Sequence, residues 1–188
     1  ICREDVTERG RLVVPAQPQP RSRPYDPARF GELGPRIVAN YRFIGNLLAL
    51  RAWYARVRAV FTAGSDYAEA CRAGALELLD SAFEERVKRL RQLAEKVGAA
   101  PRDRHQCAFA AEWADREAAL RAYRSRLDEM PGPGGALSEA LNAADRGTSY
   151  IDAVREWPEA AKAVGTEWLD GIVASVMDIG TTEDRNNG

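Results

Sequence analysis

The sequence predicts an all-α protein, a multi-helix bundle with antiparallel long helices preceded by an extended Pro-rich strap. Three observations carry that expectation. Residues 35–61 read PRIVANYRFIGNLLALRAWYARVRAVF; wound at 3.6 residues per turn they put Ile37, Tyr41, Ile44 and Leu48 on one side. Phe43, Leu47, Leu50, Tyr54, Val57 and Phe61 fall on an adjoining side. A helix that is apolar around most of its circumference is normally wrapped by other helices, so this stretch is the expected central element. Two more stretches with apolar residues at steps of three and four follow it. The connections at 62–66 and 98–103 are short, which favours antiparallel neighbours in an up-down-up core.

Taken in order, the chain opens with polar and charged residues, then offers a β-like phrase, RLVV at 11–14, halted by Pro15. Pro15, Pro18, Pro20, Pro24, Pro27 and Pro35 hold the next stretch extended and semi-rigid, with Tyr25 and Phe30 as pegs against the helical body. Pro35 suits the first position of the central helix, where a missing N–H costs nothing. Thr62 to Ser65 break that helix, and Ser65 is placed to cap a second one carrying Leu76, Leu79, Phe83, Val87, Leu90, Ala94 and Val97. Gly98 ends it. Asp103 and Gln106 have the spacing of a capping box for a third helix with Phe109 or Ala110, Trp113, Leu120, Tyr123, Leu127 and Met130 inside. PGPGG at 131–135 reads as a break. Ser138 is the expected start of a short helix ending near Gly147, and Ser149 with Asp152 the start of another that Pro158 ends or kinks. A last helix is expected at about 159–178, around Ala161, Val164, Trp168, Ile172, Val176 and Ile179. The resulting plan is an extended segment and strap at 1–34, a helical bundle at 35–180 and a disordered tail at 181–188.

Composition narrows function mostly by exclusion. The 188 residues can bury a real core. With 27 basic and 28 acidic side chains there is no global attraction for nucleic acid or an acidic membrane, and neither is an expected partner. Charge is nevertheless uneven: residues 35–65 carry Arg36, Arg42, Arg51, Arg56 and Arg58 and no acid, while residues 137–188 hold ten acids against four bases. No window is apolar enough for a membrane span, and the first residues lack a signal-peptide core, so a cytoplasmic location is the simplest expectation. Cys2, Cys71 and Cys107 are widely spaced, which fits a reducing compartment. The first residue, Ile1, suggests a piece of a longer polypeptide.

Candidate chemistry is sparse. His105, Cys107 and Cys71 lack the spacing of a metal site or of a Cys–His nucleophile, and the two cysteines suit small core positions. PGPGG has no following Lys-Ser/Thr and cannot be a P-loop. No catalytic residue, metal ligand or cofactor is therefore expected. The arginines are the informative set. On a helical wheel Arg36, Asn40, Arg51 and Arg58 fall within about 60° of one another. One reading makes Arg36, Arg51 and Arg58 an anion-binding or nucleotide groove, with Trp53 or Tyr54 for stacking. The other pairs them with Asp152, Glu156, Glu167 or Asp170 of the C-terminal helices, because a buried guanidinium must be paired. Pairing is favoured.

The order of RLVV, the Pro-rich strap and the NYRFIGNLLALRAWYARVR helix resembles the C-terminal helical region of large, uncharacterised bacterial proteins whose N-terminal part is a left-handed β-helix of hexapeptide repeats, similar to sugar-nucleotide acyltransferases. The likeness rests on residues 24–61. It implies that RLVV is the tail of an upstream β-helix and that this chain packs on, orders or oligomerises a catalytic or scaffold region. The expected function is thus a non-catalytic helical accessory or interaction module, a C-terminal piece of a larger bacterial protein. Its expected partner is the upstream region of the same polypeptide or another protein, with homo-oligomerisation a further option. The alternative is a helical domain contributing Arg36, Arg51 and Arg58 to a sugar-nucleotide or acyl-carrier site of a hexapeptide-repeat transferase.

Overall fold

In the computed structural model of the chain the described residues are 33–102, 104–144 and 149–180, with the backbone alone described at 33, 35 and 105. They belong to the second of two compact units, Glu32–Gly188. The RLVV phrase, the strap with Tyr25 and Phe30, and the tail at 181–188 lie outside the described residues.

The central helix forms, starting at Leu33 rather than at Pro35 and running in three parts: α1 (Leu33–Trp53), a π-helical turn (Tyr54–Arg58) and a last single turn, α2 (Ala59–Thr62). The chain then reverses through Gly64, whose φ of +89° is open to glycine at no steric cost. Ser65 caps α3 (Asp66–Ala99), its hydroxyl oxygen accepting the Ala68 N–H at 3.3 Å. α4 (Arg104–Leu127) follows, and Gln106 reaches back to accept the Arg102 N–H at 2.9 Å, one residue before the Asp103 of the expected capping box, which lies outside the described residues. α5 (Gly135–Ala143) starts three residues before Ser138, so the end of PGPGG opens a helix as well as closing one. Ser149 caps α6 (Tyr150–Glu156), accepting the Asp152 N–H. Pro158 separates α6 from α7 (Glu159–Gly180) rather than kinking one helix, and its carbonyl accepts N–H groups of the first turn of α7.

Contacts fix the directions. Arg51 meets Asp80 while Phe43 lies under Arg86, so α1 and α3 are antiparallel. Arg124 meets Asp80 and Arg91 meets Glu117, so α3 and α4 are too. α7 completes the bundle against α1, with Gly165 at Trp53, Gly45 at Val173 and Gly180 at Tyr41. The up-down-up trio is therefore an up-down-up-down quartet, and the most extensive packing on α1 comes from α7. Gly45 explains how the two helices approach so closely, since a Cβ there would stand 3.0 Å from the Val173 Cα.

The main core gathers Tyr41, Ile44 and Leu48 of α1 with Phe83, Val87, Leu90, Trp113, Leu120, Ile172 and Val176. A second cluster, Val57, Leu137, Trp157 and Ala161, fills the far end beneath α5 and α6. Two expectations need correction. Cys71 and Cys107 are exposed; on α4 the inward position is taken by Phe109, two residues beyond Cys107. The second apolar side of the central helix is only partly wrapped: Phe43 and Leu50 remain open to solvent, Leu47, Tyr54 and Phe61 are half-buried, and Val57 is buried.

Candidate functional site

The predicted arginines do not converge. Arg36 and Arg51 are fifteen residues apart, about 22 Å along the α1 axis at 1.5 Å per residue, so sharing a face does not let them share an anion. Arg36 is exposed at the entry of α1, its carbonyl accepting the Asn40 side-chain amide at 2.8 Å. Arg51 is buried and paired, but not with the C-terminal acids. Its Nε donates to Asp80 Oδ1 at 2.8 Å, and its Nη1 and Nη2 donate to the two carboxylate oxygens of Asp128. Arg124 engages the same two acids, Nε to Asp80 at 2.8 Å and Nη1 to Asp128 at 3.0 Å. Two guanidiniums and two carboxylates thus close a neutral cycle that ties α1, α3 and the end of α4. Burial draws the Arg51 pKa down, but its hydrogen bonds to the Asp80 and Asp128 carboxylates outweigh it and hold the group charged. Burial likewise pushes the Asp128 carboxyl up, and the Arg51 and Arg124 guanidiniums outweigh it, leaving it below its ordinary value. Asp152, Glu156, Glu167 and Asp170 are exposed, since α7 presents small and apolar residues to α1.

The π-turn decides where Arg58 goes. In an uninterrupted α-helix Val57 would follow Leu50 on one face, seven residues on, and Arg58 would follow Arg51. Instead Leu50 is 46% exposed and Val57 0%. One extra residue in the turn rotates everything after it by roughly 100°, which swings Val57 into the second cluster and Arg58 out of the Arg51 line. The Arg58 guanidinium lies 4.1 Å from the Tyr150 ring centroid and 5.9 Å from that of Tyr54. Tyr150 is itself fixed, its hydroxyl accepting the Trp53 indole N–H at 2.9 Å and its ring edge-on to Phe61. Neighbouring Arg56 donates to the carbonyls of Asp128 and Met130 at 2.5 and 2.8 Å, closing the open end of α4.

Between the π-turn and the first turns of α3 lies a groove of about 340 Å³ lined by Tyr54, Arg58, Tyr67, Cys71, Arg72 and Ala75. Among its described lining residues there is no acid. Arg72 donates from Nε to Thr62 Oγ1 at 3.2 Å, and among the described residues no carboxylate pairs with Arg72 or Arg58. Tyr67 stands 81% exposed at the rim.

The groove opens onto the partly wrapped side of α1. Phe43, Leu47, Leu50 and Tyr54 follow one another at steps of four, three and four, three turns of helix about 16 Å long. Cys71, Ala75, Leu78 and Ala82 repeat that spacing on α3, with Leu78 73% exposed. Tyr54 and Ala75 meeting in the groove, and Arg86 seated 4.2 Å over the Phe43 ring, set the two stripes side by side. No family model, curated protein or solved structure matches this chain.

The remaining ionisable groups serve the fold. Glu117 accepts from Arg91, Arg121 and the Trp113 indole, and the Arg91 guanidinium foremost holds its carboxyl well below the usual carboxylate range, at about 2. Buried Arg116 donates to Glu112 and, at 2.7 Å, to the Gly180 carbonyl at the end of α7. Among the described residues no group of three His, Cys, Asp or Glu is arranged to hold a metal ion, and no helix is long and apolar enough to cross a membrane. Sequence reasoning paired Arg58 with Tyr54 but missed Arg72 and Tyr67. Their only signal was a location just after the cap of the next helix, and it carries no weight until α2 and α3 are known to fold back on each other.

Proposed function

We propose that this chain is a non-catalytic helical interaction module that receives a partner protein on the apolar face shared by α1 and α3. One observation carries the reading, the stripe of Phe43, Leu47, Leu50 and Tyr54 beside Leu78, exposed at Phe43, Leu50 and Leu78 and half-buried at Leu47 and Tyr54. Single exposed hydrophobic residues are ordinary on any protein, whereas a contiguous stripe over three turns is the usual mark of a binding surface. Its two-helix form suits an amphipathic helix laid into a groove. Charge selects the partner's chemistry. Arg51 is neutralised by Asp80 and Asp128, but Arg58 at the end of the stripe and Arg86 and Arg72 on α3 border it without a carboxylate partner among the described residues, so the complementary segment is apolar on one side and flanked by Asp or Glu.

The hexapeptide-repeat resemblance is compatible with this role, the acid-flanked segment then belonging to the upstream region. A sugar-nucleotide or acyl-carrier site made by Arg36, Arg51 and Arg58 together is disfavoured by their spacing along the helix and by the carboxylates on Arg51.

The test is selection of helical peptides from a displayed library on the purified chain. Enriched peptides should be acidic and amphipathic, and should lose binding to Leu50→Asp and Leu78→Asp variants that keep wild-type thermal unfolding. Peptides without acidic flanks, or equal binding to both variants, would contradict the proposal.

A further inference from the structure

We infer that the groove between the π-turn and α3 binds a phosphate monoester attached to a planar ring, of the size of a nucleoside monophosphate. The inference does not depend on protein docking at the neighbouring stripe. It rests on how differently the arginines of this molecule are used. Arg51, Arg91, Arg116, Arg121 and Arg124 all hold carboxylates. Among the described residues Arg58 and Arg72 hold none, as is also true of Arg42, Arg56 and Arg86; what sets these two apart is that they line one groove from opposite sides, with no acid among its described lining residues. Their other contacts leave donors available. Arg58 is steadied by the face of Tyr150 and Arg72 uses Nε alone on Thr62, so each keeps terminal N–H groups for an anion. Two forked guanidiniums suit the non-bridging oxygens of a phosphate better than a single carboxylate.

The rest of the groove is aromatic and small. Tyr54 forms one wall and Tyr67 stands exposed at the mouth, offering a planar face on which a ring can stack, with Cys71 and Ala75 forming a floor too small to obstruct it. A volume of about 340 Å³ is at the lower end of ligand sites and accommodates a mononucleotide rather than a dinucleotide. The π-turn builds the site: without its extra residue Arg58 would point toward the Arg51 cycle and not into the groove.

The experiment is calorimetric and amide-shift titration of the chain with AMP, UMP, adenosine and inorganic phosphate. Saturable binding of a mononucleotide is expected, with amide shifts at residues 54, 58, 67 and 72. Adenosine and phosphate alone should bind at least about tenfold more weakly, since each forfeits one half of the recognition. Arg72→Gln should weaken the nucleotide by about tenfold or more and Tyr67→Ala severalfold, while Arg89→Gln leaves it unchanged. Both groove substitutions are at partly or fully exposed side chains, and unchanged thermal unfolding separates lost binding from lost fold. Absence of saturation at about 10 mM nucleotide, phosphate binding as tightly as nucleotide, or indifference to both Arg72→Gln and Tyr67→Ala would each overturn the inference.

Discussion

Replacing Arg51 with methionine removes three hydrogen bonds to carboxylates and leaves Asp80 and Asp128 sharing Arg124 alone, a cycle of net charge −1 instead of zero. Losing one partner of a fully buried ion pair costs about 3–5 kcal/mol, because the other charge is stranded. Here the strandedness is partial. The Asp80 and Asp128 side chains keep 38% and 49% of their exposure, so water can take over some of the lost donors, while the Arg51 side chain keeps only 10%. Methionine also fills much of the aliphatic space that the arginine stem occupies. These considerations place the cost at about 2–3 kcal/mol. With a urea m-value of about 2 kcal/mol/M, the unfolding midpoint should fall by about 1–1.5 M at unchanged slope. Asp80→Asn in the Arg51→Met background should cost less than in the wild type, giving a coupling energy of about 1 kcal/mol or more. A midpoint within about 0.25 M of wild type, or strict additivity of the two changes, would show that the cycle is not what joins α1, α3 and α4.

The other predictions concern charge, close packing and one stray hydroxyl. Glu117 has its folded pKa depressed to about 2 from an ordinary 4.5, so its contribution is fully present above about pH 4.5 and is lost as pH falls toward 2. Allowing for the solvent-facing Arg91 and Arg121, it amounts to about 1–2 kcal/mol, and Glu117→Gln should flatten acid unfolding in that window; an unchanged acid limb would refute it. Gly45→Ala should destabilise by about 1–2 kcal/mol, because the new Cβ meets Val173 backbone at 3.0 Å and outweighs the better helix propensity of alanine. Gly171→Ala, exposed in α7 with nothing within 4 Å of its added carbon, should instead stabilise by about 0.5–1 kcal/mol, and thermal melts of the pair decide whether the α1–α7 approach is as close as described. The Tyr123 hydroxyl is buried with no hydrogen-bond partner among the described residues, so Tyr123→Phe should leave stability unchanged or raise it by up to about 1 kcal/mol; a loss above that would reveal an unseen partner.

What the amino-acid pattern determined by itself is the set of local decisions. Apolar residues at steps of three and four were enough to place the long helices, since Phe83, Val87, Leu90, Ala94 and Val97 are all buried on one face of α3. Ser65 and Ser149 could be recognised as caps because the side chain that satisfies the first N–H groups sits beside them in sequence. Pairing of Arg51 followed from the cost of an unpaired buried charge.

Tertiary structure decided everything that depends on which helix lies beside which. The partners of Arg51 turned out to be Asp80 and Asp128 because α7 uses glycine and valine, not its acids, against α1. The wheel that aligned Arg36, Arg51 and Arg58 assumed 100° per residue throughout and ignored distance along the axis. A π-turn breaks the first assumption, and no residue in YARVR announces one, because it arises from the need to turn Val57 into a second cluster made by α5, α6 and α7. The exposed stripe and the Arg58–Arg72 groove are both products of that packing. An apolar residue is buried only where a neighbouring element covers it, and here the cover stops short of Phe43, Leu50 and Leu78.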